Sequence, residues 1–175
     1  MLMTTNKVID LSGNKVAEPY NAHRVESGKY AMAEASQDFP YLLTYGLVVC
    51  KGIVITPEGG GKGLMAHLSR SDDFSGDLDT IASGYDGDIG GANITIVETG
   101  TSKETGMWPG TDYIAKHFDG LKPNSISVDR NEKNSWVRGI VLELETGVIR
   151  EIEGEDGWSF SPEQRIDQNQ RIRAI

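Results

Sequence analysis

Two side chains in this sequence stand where a hairpin would bring them face to face. They are Cys50, the one cysteine of the chain, and His67. Residues 47–55 form a β-branched apolar run that stops at Thr56-Pro57-Glu58-Gly59-Gly60-Gly61-Lys62, and residues 63–68 form a second short apolar run. Strand, Pro/Gly turn and strand predict a β-hairpin. With Pro57 to Gly60 as its loop, Thr56 faces Gly61 and Cys50 faces His67. Their Cβ atoms would then lie about 4.5–5.5 Å apart, provided that no bulge shifts the ladder. A thiol and an imidazole at that separation make a nucleophile and its acid–base partner. A neighbouring imidazolium lowers the thiol pKa, and the thiolate attacks carbonyl carbon. The competing reading is structural: Cys50 as a small buried hydrophobe, and His67 as an ordinary core or surface residue.

The elements that must position this pair follow from periodicity. The 47–55 run is apolar on both alternating faces, as in a strand covered on both sides. Residues 71–82 begin with Ser71, Asp72 and Asp73, all good helix N-caps, and place Phe74, Leu78, Ile81 and Ala82 at helical spacing. Residues 84–91 are glycine-rich and precede a strand over 92–98. Residues 111–118 read as a second helix, with Thr111 or Asp112 near its cap. Strands over 125–129, 136–143 and 148–152 follow, the last two joined by a turn at Glu145-Thr146-Gly147. The N-terminal 30 residues are polar with short apolar islands, with a turn at Gly13-Asn14 and a return strand beginning at Val16-Ala17. The chain beyond Ser159 reads as a polar surface helix or frayed tail. The fold class expected is α/β or α+β: a mixed, mostly antiparallel β-sheet sandwich flanked by a few helices.

Composition bounds the function. The chain has 175 residues, 38% of them hydrophobic and 25% charged, enough to bury a core as one domain without crosslinks. One cysteine permits no intramolecular disulfide. A net charge of −9 argues against nucleic acid and against docking on an anionic membrane. No apolar run approaches the roughly 20 residues of a membrane-spanning helix. The opening Met1-Leu2-Met3-Thr4-Thr5-Asn6-Lys7 lacks the apolar stretch of a signal peptide. The protein is therefore expected in the cytoplasm, with export by a route without a cleaved signal left open. His23 and His117 have no partners at metal-ligand spacing. The acids Asp72, Asp73, Asp77, Asp79, Asp86 and Asp88 do not match a calcium loop, and read as a solvated face. The glycines 84, 87 and 90 precede a strand rather than a helix, unlike a nucleotide loop. Trp108, Trp136 and Trp158 read as core or rim residues. No cofactor or metal is expected.

The order of these features resembles a known family. Thr44, Cys50 and His67 have the spacing of the catalytic Thr, Cys and His of CheD-type protein glutamine deamidases. Gly63-Leu64-Met65-Ala66-His67, Ile89-Gly90-Gly91-Ala92-Asn93, and the closing 136–148 stretch with Glu145-Thr146-Gly147 are similar to segments of that family. The family shares its catalytic core with cytotoxic necrotizing factor-type bacterial toxins. The resemblance covers residues 41–152. It leaves residues 1–40 as an N-terminal extension and 153–175 as a polar tail within one domain, 1–175. Val48-Val49 stand where the family has Gly-Ser, Leu64 replaces a glycine, and residues 100–110 replace its Gly-x-Arg-Asn stretch. The resemblance implies a cysteine hydrolase that deamidates a glutamine of a protein substrate, chemoreceptor-like or from a host, with Cys50 as nucleophile and His67 as acid–base. Thr44 would orient the imidazole, the third role of a triad. Six extended residues span about 20 Å, so Thr44 can join the pair only if the chain folds back near Tyr45-Gly46. The alternatives are a non-catalytic protein-binding module on the same fold, or another Cys–His protease or acyl-transfer enzyme. Nothing in the residues fixes the oligomeric state.

Overall fold

The computed structural model describes residues 7–8, 22–38, 40–47, 50–99, 110–131, 138–152 and 170–171. The expected turn at Gly13-Asn14 with its return strand, Val48-Val49, the 100–109 part of the replaced loop, the three tryptophans and most of the tail lie outside them.

The described chain is α+β: two mostly antiparallel sheets and two helices. Its strands are β1 (Lys7–Val8), β2 (Ala22–Arg24), β3 (Lys29–Glu34), β4 (Tyr41–Leu47), β5 (Lys51–Pro57), β6 (Lys62–Leu68), β7 (Ala92–Thr99), β8 (Ser125–Asn131), β9 (Arg138–Glu143), β10 (Val148–Glu151) and β11 (Gln170–Arg171). The helices are α1 (Phe74–Gly84) and α2 (Thr111–Asp119), and a 3₁₀ turn at Ile89–Gly91 leads into β7. A seven-stranded sheet runs β1-β8-β7-β5-β6-β3-β11, and a four-stranded sheet runs β10-β9-β4-β2. No helix among the described residues is long and apolar enough to cross a membrane.

Strand alternation builds two cores from the central hairpin. One face of β5 and β6 presents Ile53, Ile55, Leu64, Ala66 and Leu68 to Leu78 and Ile81 of α1 and to Ile114 and Phe118 of α2. The other face presents Val54 and Met65, with Val97 of β7, to Leu42, Leu47, Ile140 and Leu142 of the four-stranded sheet. Both faces of β5 are thus buried, as its apolar run requires. Helix α1 starts at Phe74 because Asp73 caps it, its carboxylate accepting from Gly76 N–H at 2.9 Å. For α2 the cap is Gly110, not Thr111 or Asp112, and the Thr111 hydroxyl is used elsewhere.

Four further expectations are corrected. The 47–55 run is not one strand: β4 ends at Leu47 in one sheet and β5 begins at Lys51 in the other. The change of sheet comes after Leu47. Gly46, at φ +74°, serves a bulge between Thr44 and Leu47 rather than the turn itself. Residues 22–34, placed outside the core by the sequence, supply β2 beside β4 and β3 beside β6. From the tail, Gln170–Arg171 pairs with β3.

At the end of the sandwich where β5 turns into β6, the two sheets are clamped. Gly61 N–H donates to Leu144 O at 2.7 Å and to Glu145 O at 3.1 Å. A Cβ on Gly60, at φ +77°, would collide with the Glu145 carbonyl. The Cys50 end lies opposite.

Candidate functional site

The β5–β6 hairpin sets the site with a register different from the expected one. Gly52, not Cys50, faces His67, and Lys51 faces Leu68. The loop spans 58–61, one residue further along the chain than Pro57 to Gly60, with Gly59, Gly60 and Gly61 all at positive φ, and moving its centre by one residue moves the pairing by two. His67 therefore points toward the four-stranded sheet, beside Met65 and across from a residue without a side chain. The space over Gly52 is lined by Leu47, Val97 and Ile140. Cys50 lies just outside β5 and packs against the same inter-sheet cluster. Cys50 is a bend residue between the end of β4 in one sheet and the start of β5 in the other.

Thr44 reaches His67 from the other sheet. Its Oγ1 lies 2.8 Å from His67 Nδ1 and 2.7 Å from the Val25 carbonyl oxygen. A hydroxyl has one proton and a carbonyl has none, so Thr44 donates to Val25 and accepts from His67 Nδ1–H. That fixes the tautomer: Nδ1 carries the proton and Nε2 carries the lone pair. His67 is 2% exposed, and Nε2 has no hydrogen-bond partner among the described residues. A buried, unsatisfied imidazole nitrogen is costly, and invites a functional reason for its retention.

Electrostatics correct a further expectation, the thiolate–imidazolium pair. Burial, with the positive charge of Arg24 adding to it, holds His67 down at about pKa 4. Burial also pushes the Cys50 thiol up, against the opposing effects of a hydrogen bond with the Ser27 side chain and the nearby charge of Lys51. The resting groups are a neutral thiol and a neutral imidazole, and no hydrogen bond joins them. The structure thus brings Thr44 and His67 into direct contact, and packs Cys50 against the inter-sheet cluster with no hydrogen bond to the ring.

Sequence reasoning missed a second polar group behind Cys50. Lys51 Nζ lies 2.8 Å from Glu98 Oε2, with both side chains at most 3% exposed, and the Thr111 hydroxyl donates to the same carboxylate oxygen. The signal was a lone charge in each of two apolar strands. Other residues singled out stand apart. His117 meets Asp79 at 3.0 Å between the helices, and His23 is buried in β2. Asp86 pairs with Lys62 at 2.5 Å at the clamped end. Among the described residues no group of three His, Cys, Asp or Glu side chains could hold a metal ion. No protein-family model matches the chain, and a search of the curated proteins returns no match.

Proposed function

We propose that this chain is a cysteine-dependent hydrolase that converts a glutamine side chain of a partner protein to glutamate. The observation that carries the reading is the His67 ring: Nδ1–H is tied to Thr44, and an unshared electron pair on Nε2 sits on the face shared with Cys50. The CheD-type order of Thr44, Cys50 and His67 supports the same reading.

The chemistry starts from neutral groups. As Cys50 Sγ bonds to the carboxamide carbon, His67 Nε2 takes the thiol proton, and Thr44 steadies the ring that becomes charged. The tetrahedral intermediate collapses when the imidazolium gives that proton to departing ammonia, leaving a thioester. His67, neutral again, takes a proton from water as the water attacks the thioester. The thiol returns and glutamate is released. The sum is carboxamide plus water to carboxylic acid plus ammonia, with no oxidant or cofactor required. An amine in place of water would give a transglutaminase product.

Peptide-resolved mass spectrometry on candidate partner proteins tests this. The expected result is a gain of about one dalton at one glutamine, lost in Cys50→Ser and in His67→Ala. Unchanged activity in Cys50→Ser removes the mechanism. A second reading, a non-catalytic binding module, is favoured by the raised thiol pKa and the missing Cys50–His67 hydrogen bond. It expects complex formation with no mass change in the partner.

A further inference from the structure

We propose that Thr44 sets the ligand class of the site: by holding the ring proton of His67 on Nδ1 it leaves Nε2 a pure acceptor, which takes a hydrogen-bond donor such as a primary carboxamide and turns away a carboxylate. For the consequence that product glutamate is expelled, the inference rests on the deamidase reading; the acceptor character rests on geometry. The Val25 carbonyl, which can only accept, takes the one proton of the Thr44 hydroxyl at 2.7 Å. Thr44 Oγ1 then has only lone pairs to offer His67 Nδ1 at 2.8 Å, so the ring proton sits there. Val25 is itself held, its N–H donating to Leu43 O of β4 at 2.7 Å.

Nε2 is the opposite end of the same ring, and no group among the described residues donates to it. His67 is 2% exposed and faces Gly52 across the ladder, where Leu47, Val97 and Ile140 stand around the glycine. None of those side chains has a donor. A lone pair in such a setting is costly until a donor meets it. A primary carboxamide brings two N–H donors, whereas a carboxylate brings only further lone pairs. The nearby cations do not offset that repulsion. The ring itself is neutral at pH 7, held down at about pKa 4, mainly by burial. Arg24 lies 5.9 Å from the centre of the Tyr45 ring and pairs in register with Leu43, out of phase with Thr44 along the sheet. Lys51 pairs in register with Leu68, which belongs to the helix-side core, and is matched by Glu98. Hydrolysis of a carboxamide at this site would therefore erase the contact that held it.

The test uses the full chain with nitrogen-15-labelled histidine, and follows the ring nitrogens of His67 by NMR at pH 7 with acetamide and acetate as probes. The parent is expected to show a protonated Nδ1 and a bare Nε2. Acetamide shifts the Nε2 resonance at concentrations about tenfold below those at which acetate acts. Thr44→Ser keeps the tautomer and the preference. Thr44→Val leaves Nδ1–H no hydroxyl to donate to, so the proton populates both nitrogens and the preference shrinks. Loss of stability alone would not exchange the tautomers, and should Thr44→Val fail to fold, the parent and Thr44→Ser decide. A proton on Nε2 in the parent overturns the proposal, as does a resonance that answers both probes alike or neither. Preference for acetamide in a protein that deamidates nothing upholds it and removes the deamidase reading. Deamidation by a protein that binds both probes equally does the reverse.

Discussion

His67 Nδ1–H donates a hydrogen bond to a hydroxyl already committed to Val25, and burial holds the ring down at about pKa 4. Two consequences share that cause. On the proposed hydrolase reading, a base that is neutral above pH 4 keeps working where an ordinary histidine, with pKa 6.5, would be protonated, so activity is expected to persist at pH 5 and fall only as pH approaches 4. The folded-state pKa lies below the unfolded value, so between the two the unfolded chain binds more protons and stability drops as pH falls. Relative to His67→Gln, the parent should lose about 2 kcal/mol of unfolding free energy between pH 7 and pH 5, measured by chemical denaturation. A constant gap between the two proteins would place the histidine in contact with water. Residue types and order made Cys50, His67 and Thr44 legible. The charge state was not, because burial and the Arg24 field depend on neighbours far away in sequence.

Strand pairing explains what the sequence placed and what it misplaced. The hairpin itself is visible in the two apolar runs and the Pro/Gly turn between them. Its register is not, because the loop with its three successive glycines at positive φ sits one residue further along the chain, and the resulting shift of two preserves the inward and outward faces. Periodicity therefore could not distinguish Cys50 from Gly52 as the partner of His67. Strand β3 escaped notice because Lys29-Tyr30-Ala31-Met32-Ala33-Glu34 is mostly half-buried, so its alternation is faint. The fold-back after Thr44 was legible through Gly46, though that glycine shapes a bulge. At its φ of +74° a Cβ would meet nothing within 4 Å, so the cost of a side chain there is purely one of backbone strain. Gly46→Ala should lose about 1–2 kcal/mol of stability, and Gly46→Asn less, since asparagine tolerates that region better. Equal stability of Gly46→Ala and the parent in urea would show that the bulge relaxes.

Across the molecule as a whole, the fold class was readable because helix and strand periods separate cleanly along residues 41–152. The buried charges were not, since each lies in a run that reads as apolar. Lys51 and Glu98 join β5 to β7, and Thr111 ties the start of α2 to the same carboxylate. Removing one member leaves the other charge buried. Lys51→Met should cost about 3–5 kcal/mol, whereas Lys51→Met with Glu98→Leu should recover much of that loss. Additive losses in the two single variants and the double would mean that the ions are stabilised independently. The clamp between Gly61 and the Leu144–Glu145 carbonyls has a mechanical consequence of its own. It fastens the two layers at one rim, while Thr44 and His67 meet across them near the other, some 20 Å of strand away. That second rim is not left loose, because the Thr44 hydroxyl spans the layers to the imidazole there. Pinned at both ends of the central hairpin, the sandwich resists shear of one layer over the other, and the threonine of one sheet keeps its distance from the histidine of the other.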